Sequence, residues 1–233
     1  LFAQDVTLLI KEAEKLEAVP NEAAAFHKYR EILKLHPANV FSLIRCSELC
    51  SRIGKRQRDN KHRDDYYEAA KIYAEGAVKL DPANSDANCV MAIALGRTAL
   101  TKSGKEKIAT AKEIKRYIDI SLKSNPQNYK AWHVLGKWNY EISNLGFIER
   151  TAAKILFGGM PPASMQDAIV AFEKVRSIAP WFILNYIEMA KAYKVAGQKN
   201  KAVLAINEMY LQKNSSEDDP FIKEEGKKLL KEL

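Results

Sequence analysis

The chain has 233 residues, 47% of them apolar and 28% charged, which is ordinary globular usage and argues against a disordered or membrane-embedded class. Its net charge of +8 favours anionic partners. The 29 acidic residues are nevertheless interleaved with the 37 basic ones, as on solvated helix faces, whereas a dedicated nucleic-acid surface should show denser basic stripes with aromatics. No run approaches the roughly 18 apolar residues of a membrane helix.

At the N-terminus, Leu1-Phe2-Ala3 ends on the small residue of an export-signal cleavage site, with Leu1 a poor match to it. An exported or periplasmic protein and a cytoplasmic one both remain open. Leu9, Ala13 and Leu16 then mark one face of a first helix, and Ala25, Tyr29 and Ile32 a second that stops at Pro37. The same set stands at the same distances before three later prolines: Ala70, Ala74, Ala77 before Pro82; Ile114, Ile118, Ser121 before Pro126; Ala168, Phe172, Val175 before Pro180. Positions i, i+4 and i+7 share a helix face, small residues there let two helices approach closely, and proline ends the helix.

Between these segments lie matching first helices. Leu43-x2-Cys46-Ser47-x2-Cys50 and Asn88-x2-Met91-Ala92-x2-Leu95 are weak copies. Trp132-x2-Leu135-Gly136-x3-Tyr140 is the fullest, with its tyrosine one position late, and Tyr186-x2-Met189-Ala190-x2-Tyr193 keeps the spacing. Together these halves resemble the tetratricopeptide (TPR) unit, whose repeat is about 34 residues. The resemblance implies an all-α, right-handed superhelical solenoid forming one domain. Its units are 6–39, 40–84, 85–128, 129–182 and 183–216, with a capping helix over 220–233.

The three middle units are longer than the repeat. The first insertion, Gly54–Asp65, is the most basic stretch and reads as a solvated loop or as a contact for acidic lipid or protein. Thr101–Lys107 resembles a phosphate loop only superficially, since no strand precedes it and the spacing is wrong. The third, Leu145–Pro162, contains an amphipathic helix with Phe147, Ile148, Ala152, Ile155 and Leu156 on one side, ended by Gly158 and Gly159, and Ser164 caps the helix after it. That helix either packs on its neighbours or walls an apolar groove.

The run Gly136-Lys137-Trp138-x-Tyr140-Glu141, followed by Glu149-Arg150-x-Ala152-Ala153-x3-Phe157-Gly158-x2-Pro161-x2-Ser164-x3-Ala168-x3-Phe172-x-Lys174, resembles the core of the regulator of microtubule dynamics family. This resemblance implies a non-enzymatic helical-repeat domain. Family roles include association with microtubules, contacts between mitochondria and endoplasmic reticulum, and phospholipid binding and transfer.

Catalytic and metal motifs are missing. His27, His36, His62 and His133 show no metal-ligand spacing, and no nucleophile elbow is present. Cys46, Cys50 and Cys89 read as small buried residues rather than disulfide or zinc partners. The acidic pairs Asp64-Asp65 and Asp218-Asp219 read as solvated loop residues. No cofactor or metal is expected. The expected function is a binding module that holds a protein or peptide in its concave groove; the alternatives are phospholipid or fatty-acid binding and transfer through an apolar groove with basic residues, with an anionic lipid or membrane surface as partner, and microtubule association. First helices line the concave side of such a superhelix. The projected groove therefore comprises Phe41, Ile44, Glu48, Arg52, Cys89, Ile93, Arg97, His133, Lys137, Tyr140, Ile187, Lys191 and Lys194, with Phe147, Ile155 and Leu156 as its apolar wall.

Overall fold

Each proline motif ends one helix and launches the next. The computed structural model describes residues 2–99, 104–146, 150–151, 153–155 and 158–233. The helices are α1 (Phe2–Ala18), α2 (Glu22–Leu35), α3 (Val40–Lys55), α4 (Asn60–Leu80), α5 (Ser85–Thr98), α6 (Gly104–Ser124), α7 (Tyr129–Ser143), α8 (Met165–Ile178), α9 (Ile183–Val195), α10 (Lys199–Leu211) and α11 (Asp219–Leu230). Among the described residues there is no strand, and no helix is long and apolar enough to cross a membrane. The helices pair as α1/α2, α3/α4, α5/α6, α7/α8 and α9/α10, each pair packs on the next, and α11 closes the end against α9 and α10. This is a TPR-like solenoid. Its first helices α3, α5, α7 and α9 touch in series, forming a continuous inner row.

The turn between pairs has a repeated construction. Pro37, Pro82 and Pro126 each precede by two residues an asparagine whose side-chain oxygen accepts the N–H three positions on: Asn39 from Ser42 (2.8 Å), Asn84 from Ala87 (3.0 Å), Asn128 from Ala131 (3.1 Å). Such a cap satisfies one of the helix's orphan donors, worth about 1 kcal/mol. The proline's own carbonyl is bonded from six residues ahead: Asn88 Nδ2 donates to Pro82 (2.9 Å), Trp132 Nε1 to Pro126 (2.8 Å) and Tyr186 Oη to Pro180 (2.8 Å). The leading residue of the first-helix motif is therefore both packing body and hydrogen-bond donor, which explains why Trp, Tyr and Asn alternate there.

The repeat positions form the core. Ala25, Tyr29, Ile32, Ala70, Ala74, Ala77, Ile118, Ser121, Ala168, Phe172 and Val175 are all fully inaccessible, and Ile114 is partly buried. Gly136 shows why the motif needs a glycine: a Cβ there would lie 2.6 Å from the Phe172 ring of the paired helix. The late tyrosine also has a reason. Asn139, at the consensus position, is buried and bonds Leu135 (3.1 Å), while Tyr140 turns its ring toward Lys137. All three cysteines are free and buried, and burial pushes the Cys50 thiol up to about 12.

Of the third insertion, Phe147, Ile148, Ala152 and Leu156 lie outside the described residues. Ala153 is buried and Ile155 is 77% exposed. Arg150 bonds the carbonyls of Ser143 (2.7 Å) and Leu145 (2.9 Å), anchoring the segment to the end of α7. Gly158 and Gly159 both take positive φ, as a helix end followed by a reversal requires. Ser164 caps α8 through the Asp167 N–H (3.0 Å).

Two expectations fail. Gly54–Asp65 is not one loop: α3 runs to Lys55 and α4 starts at Asn60, which puts Asp64 and Asp65 on a helix. Asp218 and Asp219 are not solvated: Asp219 is buried, accepting the N–H groups of Ser215 (2.6 Å) and Ser216 (2.9 Å), and Asp218 faces Arg56 (3.0 Å). The polar composition of that loop hid two sets of partners distant in sequence.

Candidate binding groove

The projected groove residues lie on the inner row of helices and fall into two sets. Ile44, Cys89, His133 and Ile187 are buried, so they belong to the core and present no free surface. Phe41 is exposed and rests edge-on against Tyr29, and Tyr140 and Ile93 are half-buried. Residues of charged type dominate the remainder, and the structure supplies almost every one with a carboxylate.

Around α3, Arg45 pairs with Glu17 and Glu48, and Glu48 also takes Lys130 of α7 (2.6 Å). This pair bridges α3 to α7 past the small Cys89 of α5, whose thiol burial pushes well above its ordinary value. Burial would raise the Glu48 carboxyl, but Lys130, Arg45 and Arg52 outweigh it and hold it down at about 2. Arg52 pairs with Glu22, a carboxylate that is 1% exposed. Around α9, Glu188 sits between Lys137 of α7 (2.8 Å) and Lys191 (2.8 Å), and Lys191 continues to Glu225 of α11 (2.7 Å). Here too burial would raise the carboxyl and the two lysines overcome it, leaving Glu188 at about 2. Lys194 is paired with Glu232 of α11 (2.6 Å). Buried pairs of this kind contribute little net stability against apolar replacements, but breaking one partner away is costly.

Arg97 differs. It stands in the last turn of α5, its guanidinium 5.9 Å from the centre of the Tyr67 ring, and its Nε is buried without a hydrogen-bond acceptor. Among the described residues no carboxylate lies within ion-pair distance of it. Burial lowers the proton affinity of the neighbouring His133, whose ring bonds Asn185 (3.2 Å), and the Lys137 and Arg97 charges add to that effect. A cation on an aromatic face, beside an imidazole held neutral, offers an unanswered positive charge to an incoming anion.

Sequence reasoning named the cations but missed that Glu22, Glu188, Glu225 and Glu232 pair with them and that Lys130 pairs with Glu48. The pairing is tertiary: Glu48 and Lys130 stand 82 residues apart. The acidic residues at Glu48 and Glu188, one on each of two first helices facing the inner row, were the available signal. Among the described residues no group of three His, Cys, Asp or Glu side chains could hold a metal ion.

A sequence profile described as regulator of microtubule dynamics protein 1-3 matches residues 9–233. Regulator of microtubule dynamics protein 3 of Xenopus laevis is 25% identical over 211 residues, covering 85% of this chain and 44% of the relative. Protein 2 of Rattus norvegicus is 24% identical over 227 residues, covering 97% and 53%. Protein 1 of Caenorhabditis elegans is 28% identical over 180 residues, covering 77% of each. The chain thus spans about half the length of the first two relatives. Among solved structures, a thermophilic TPR protein of Thermus thermophilus, TTC0263, superposes with a TM-score of 0.70 over 97% of this chain and 98% of its own, at 12% identity. That likeness is one of fold.

Proposed function

The chain belongs to the regulator of microtubule dynamics protein 1-3 family, and we propose that it serves as a non-catalytic binding module whose concave face takes a protein segment through an acidic group. The observation that carries this reading is Arg97. The other projected groove cations, Arg52, Lys137, Lys191 and Lys194, are neutralised within the molecule, and Arg97 is left with an aromatic face and no carboxylate. An acidic side chain docking there gains a charge-assisted hydrogen bond without displacing an internal partner. The half-buried Ile93, one turn before it on α5, and Tyr140 on the adjacent α7 supply apolar contact.

The phosphate of an anionic lipid would meet the same guanidinium, and the test separates the two ligands. Native mass spectrometry of the purified chain, then capture of partners by wild type, Arg97→Glu and Lys194→Glu, reads both. A clean protein mass with capture lost, on the order of tenfold or more, in Arg97→Glu alone supports the proposal. Equal capture by all three proteins would sink the Arg97 assignment. A co-purifying phospholipid mass that vanishes in Arg97→Glu would transfer the site to a lipid.

A further inference from the structure

The two ends of the solenoid meet. Residues just before α11 reach the corner formed by the start of α2 and the end of α3, more than 160 positions away in sequence. The N–H of Glu22 donates to Glu217 Oε1 (2.8 Å), so an acidic side chain sits on the N-terminus of α2, where the helix dipole favours it. Arg56 Nη1 donates to Asp218 (3.0 Å), its other nitrogen pairs with Glu22 (2.6 Å) and Glu217 (3.2 Å), and Lys55 lies 4.0 Å from Asp218. Arg52 completes the group by pairing with Glu22. Arg52, Lys55 and Arg56 thus balance Glu22, Glu217 and Asp218.

Two features mark this junction as distinct from the rest of the fold. First, α11 begins at the edge of the solenoid where first helices begin, whereas Arg56 stands at the edge where they end. The contact therefore joins opposite edges, like adjacent coils of a spring. Second, every helix-to-helix step along the chain is sealed by apolar side chains, but this closure is made of charges and one N–H donor. The acidic loop is prepared for it: Asp219 accepts the N–H and hydroxyl groups of both Ser215 and Ser216, fixing the loop that presents Glu217 and Asp218.

We propose that the Glu217–Asp218 loop and the Glu22–Arg56 corner form a reversible clasp that closes the first turn of the superhelix and so sets the aperture of the concave face. Opening requires only that charged groups exchange partners for water and salt, while the paired helices keep their packing. The clasp is screened by salt in a way the apolar steps are not.

Small-angle scattering and hydrogen exchange on the whole chain test this. Glu217→Gln with Asp218→Asn, a near-isosteric change that removes both charges, should enlarge the radius of gyration and leave helix content unchanged. The Glu22 amide should then exchange about tenfold faster, equivalent to about 1.4 kcal/mol. Wild type should shift the same way in high salt. Arg56→Glu should open the chain as well, whereas Arg56→Lys, which keeps a cation facing Glu22, Glu217 and Asp218, should retain the closed dimensions, an outcome that general destabilisation would not give. Unchanged dimensions and unchanged Glu22 exchange in the Gln/Asn variant would overturn the proposal. So would an Arg56→Lys variant as open as Arg56→Glu.

Discussion

The two ends of the molecule are solid and its middle is thin. In the N-terminal block, Phe26, Tyr29, Ile32, Leu49 and Ile53 form part of one core running from α1 to α5. In the C-terminal block, Phe172, Ile183, Tyr186, Ile187, Met189, Tyr193 and Met209 do the same from α8 to α11. Between them, where α5 and α6 meet α7, the described core narrows to Ala92, Ile118 and Trp138 with half-buried neighbours. Polar links supplement this seam: Trp138 Nε1 donates to Ala111 (2.8 Å), Asn128 bonds Ser85 and Asp86 (both 2.9 Å), and Lys130 reaches Glu48. A solenoid whose repeats touch only their neighbours is as cooperative as its weakest step. The difference teaches that the two blocks communicate through few side chains, and that a clasp between the ends would be read out as bending at the seam.

The largest expected effect comes from emptying one block. Phe172→Ala should cost about 3–5 kcal/mol, and Tyr29→Ala a similar amount on the other side. Hydrogen exchange during urea titration should show each variant loosening its own block first. Equal loosening of both blocks by either variant would make the molecule a single unit and dissolve the contrast.

Acid comes next. Glu48 and Glu188 are both held at about 2 in the fold against an ordinary carboxylate value of 4.5. A depressed carboxyl stabilises the folded state fully above its unfolded value, and that contribution is lost as pH falls through the window from 4.5 toward 2. His133, held neutral by burial, adds a loss of the same sign beginning near its ordinary value of 6.5. The urea midpoint should therefore fall on acidification. Glu48→Gln should flatten the acid part of that slope and be felt across the seam, because Glu48 ties α3 to α7. A slope unchanged in Glu48→Gln would assign the acid loss elsewhere.

The smallest effect is the sharpest test of the seam. Trp138→Phe keeps an aromatic side chain but removes the donor to Ala111 and part of the buried indole's volume, a change worth about 1–2 kcal/mol. In a strongly coupled protein it would simply shift the midpoint. Here it should broaden the unfolding transition or split it in two, as followed by circular dichroism.

The fold was legible because its signals are local. Proline with small and apolar residues at helical distances before it, and a glycine where Phe172 presses, can be read along the chain without knowing any long-range contact. The inner face was half legible. Helical projection names Lys137 and Lys191, but their carboxylate partners depend on which helices become neighbours. The clasp was invisible for the same reason, since Glu217 and Asp218 look like ordinary loop acids until the superhelix brings Arg56 round to them. The asparagine two residues after three of the prolines was a local signal that repeat matching passed over.

The proline turns carry a consequence for how such a chain can change. All four links from one pair to the next, 36–39, 81–84, 125–128 and 179–182, have the same length, and three of them carry an asparagine cap and three a donor to the proline carbonyl. The links inside pairs do not: 19–21, 56–59, 99–103, 144–164 and 196–198 differ widely. Between pairs, one margin of the solenoid thus follows a template in which an added residue would displace the cap or the carbonyl bond. The opposite margin is open to growth. Tags, epitopes or grafted loops belong there, and it is on that margin, at the ends of the first helices, that Arg56 and Arg97 stand.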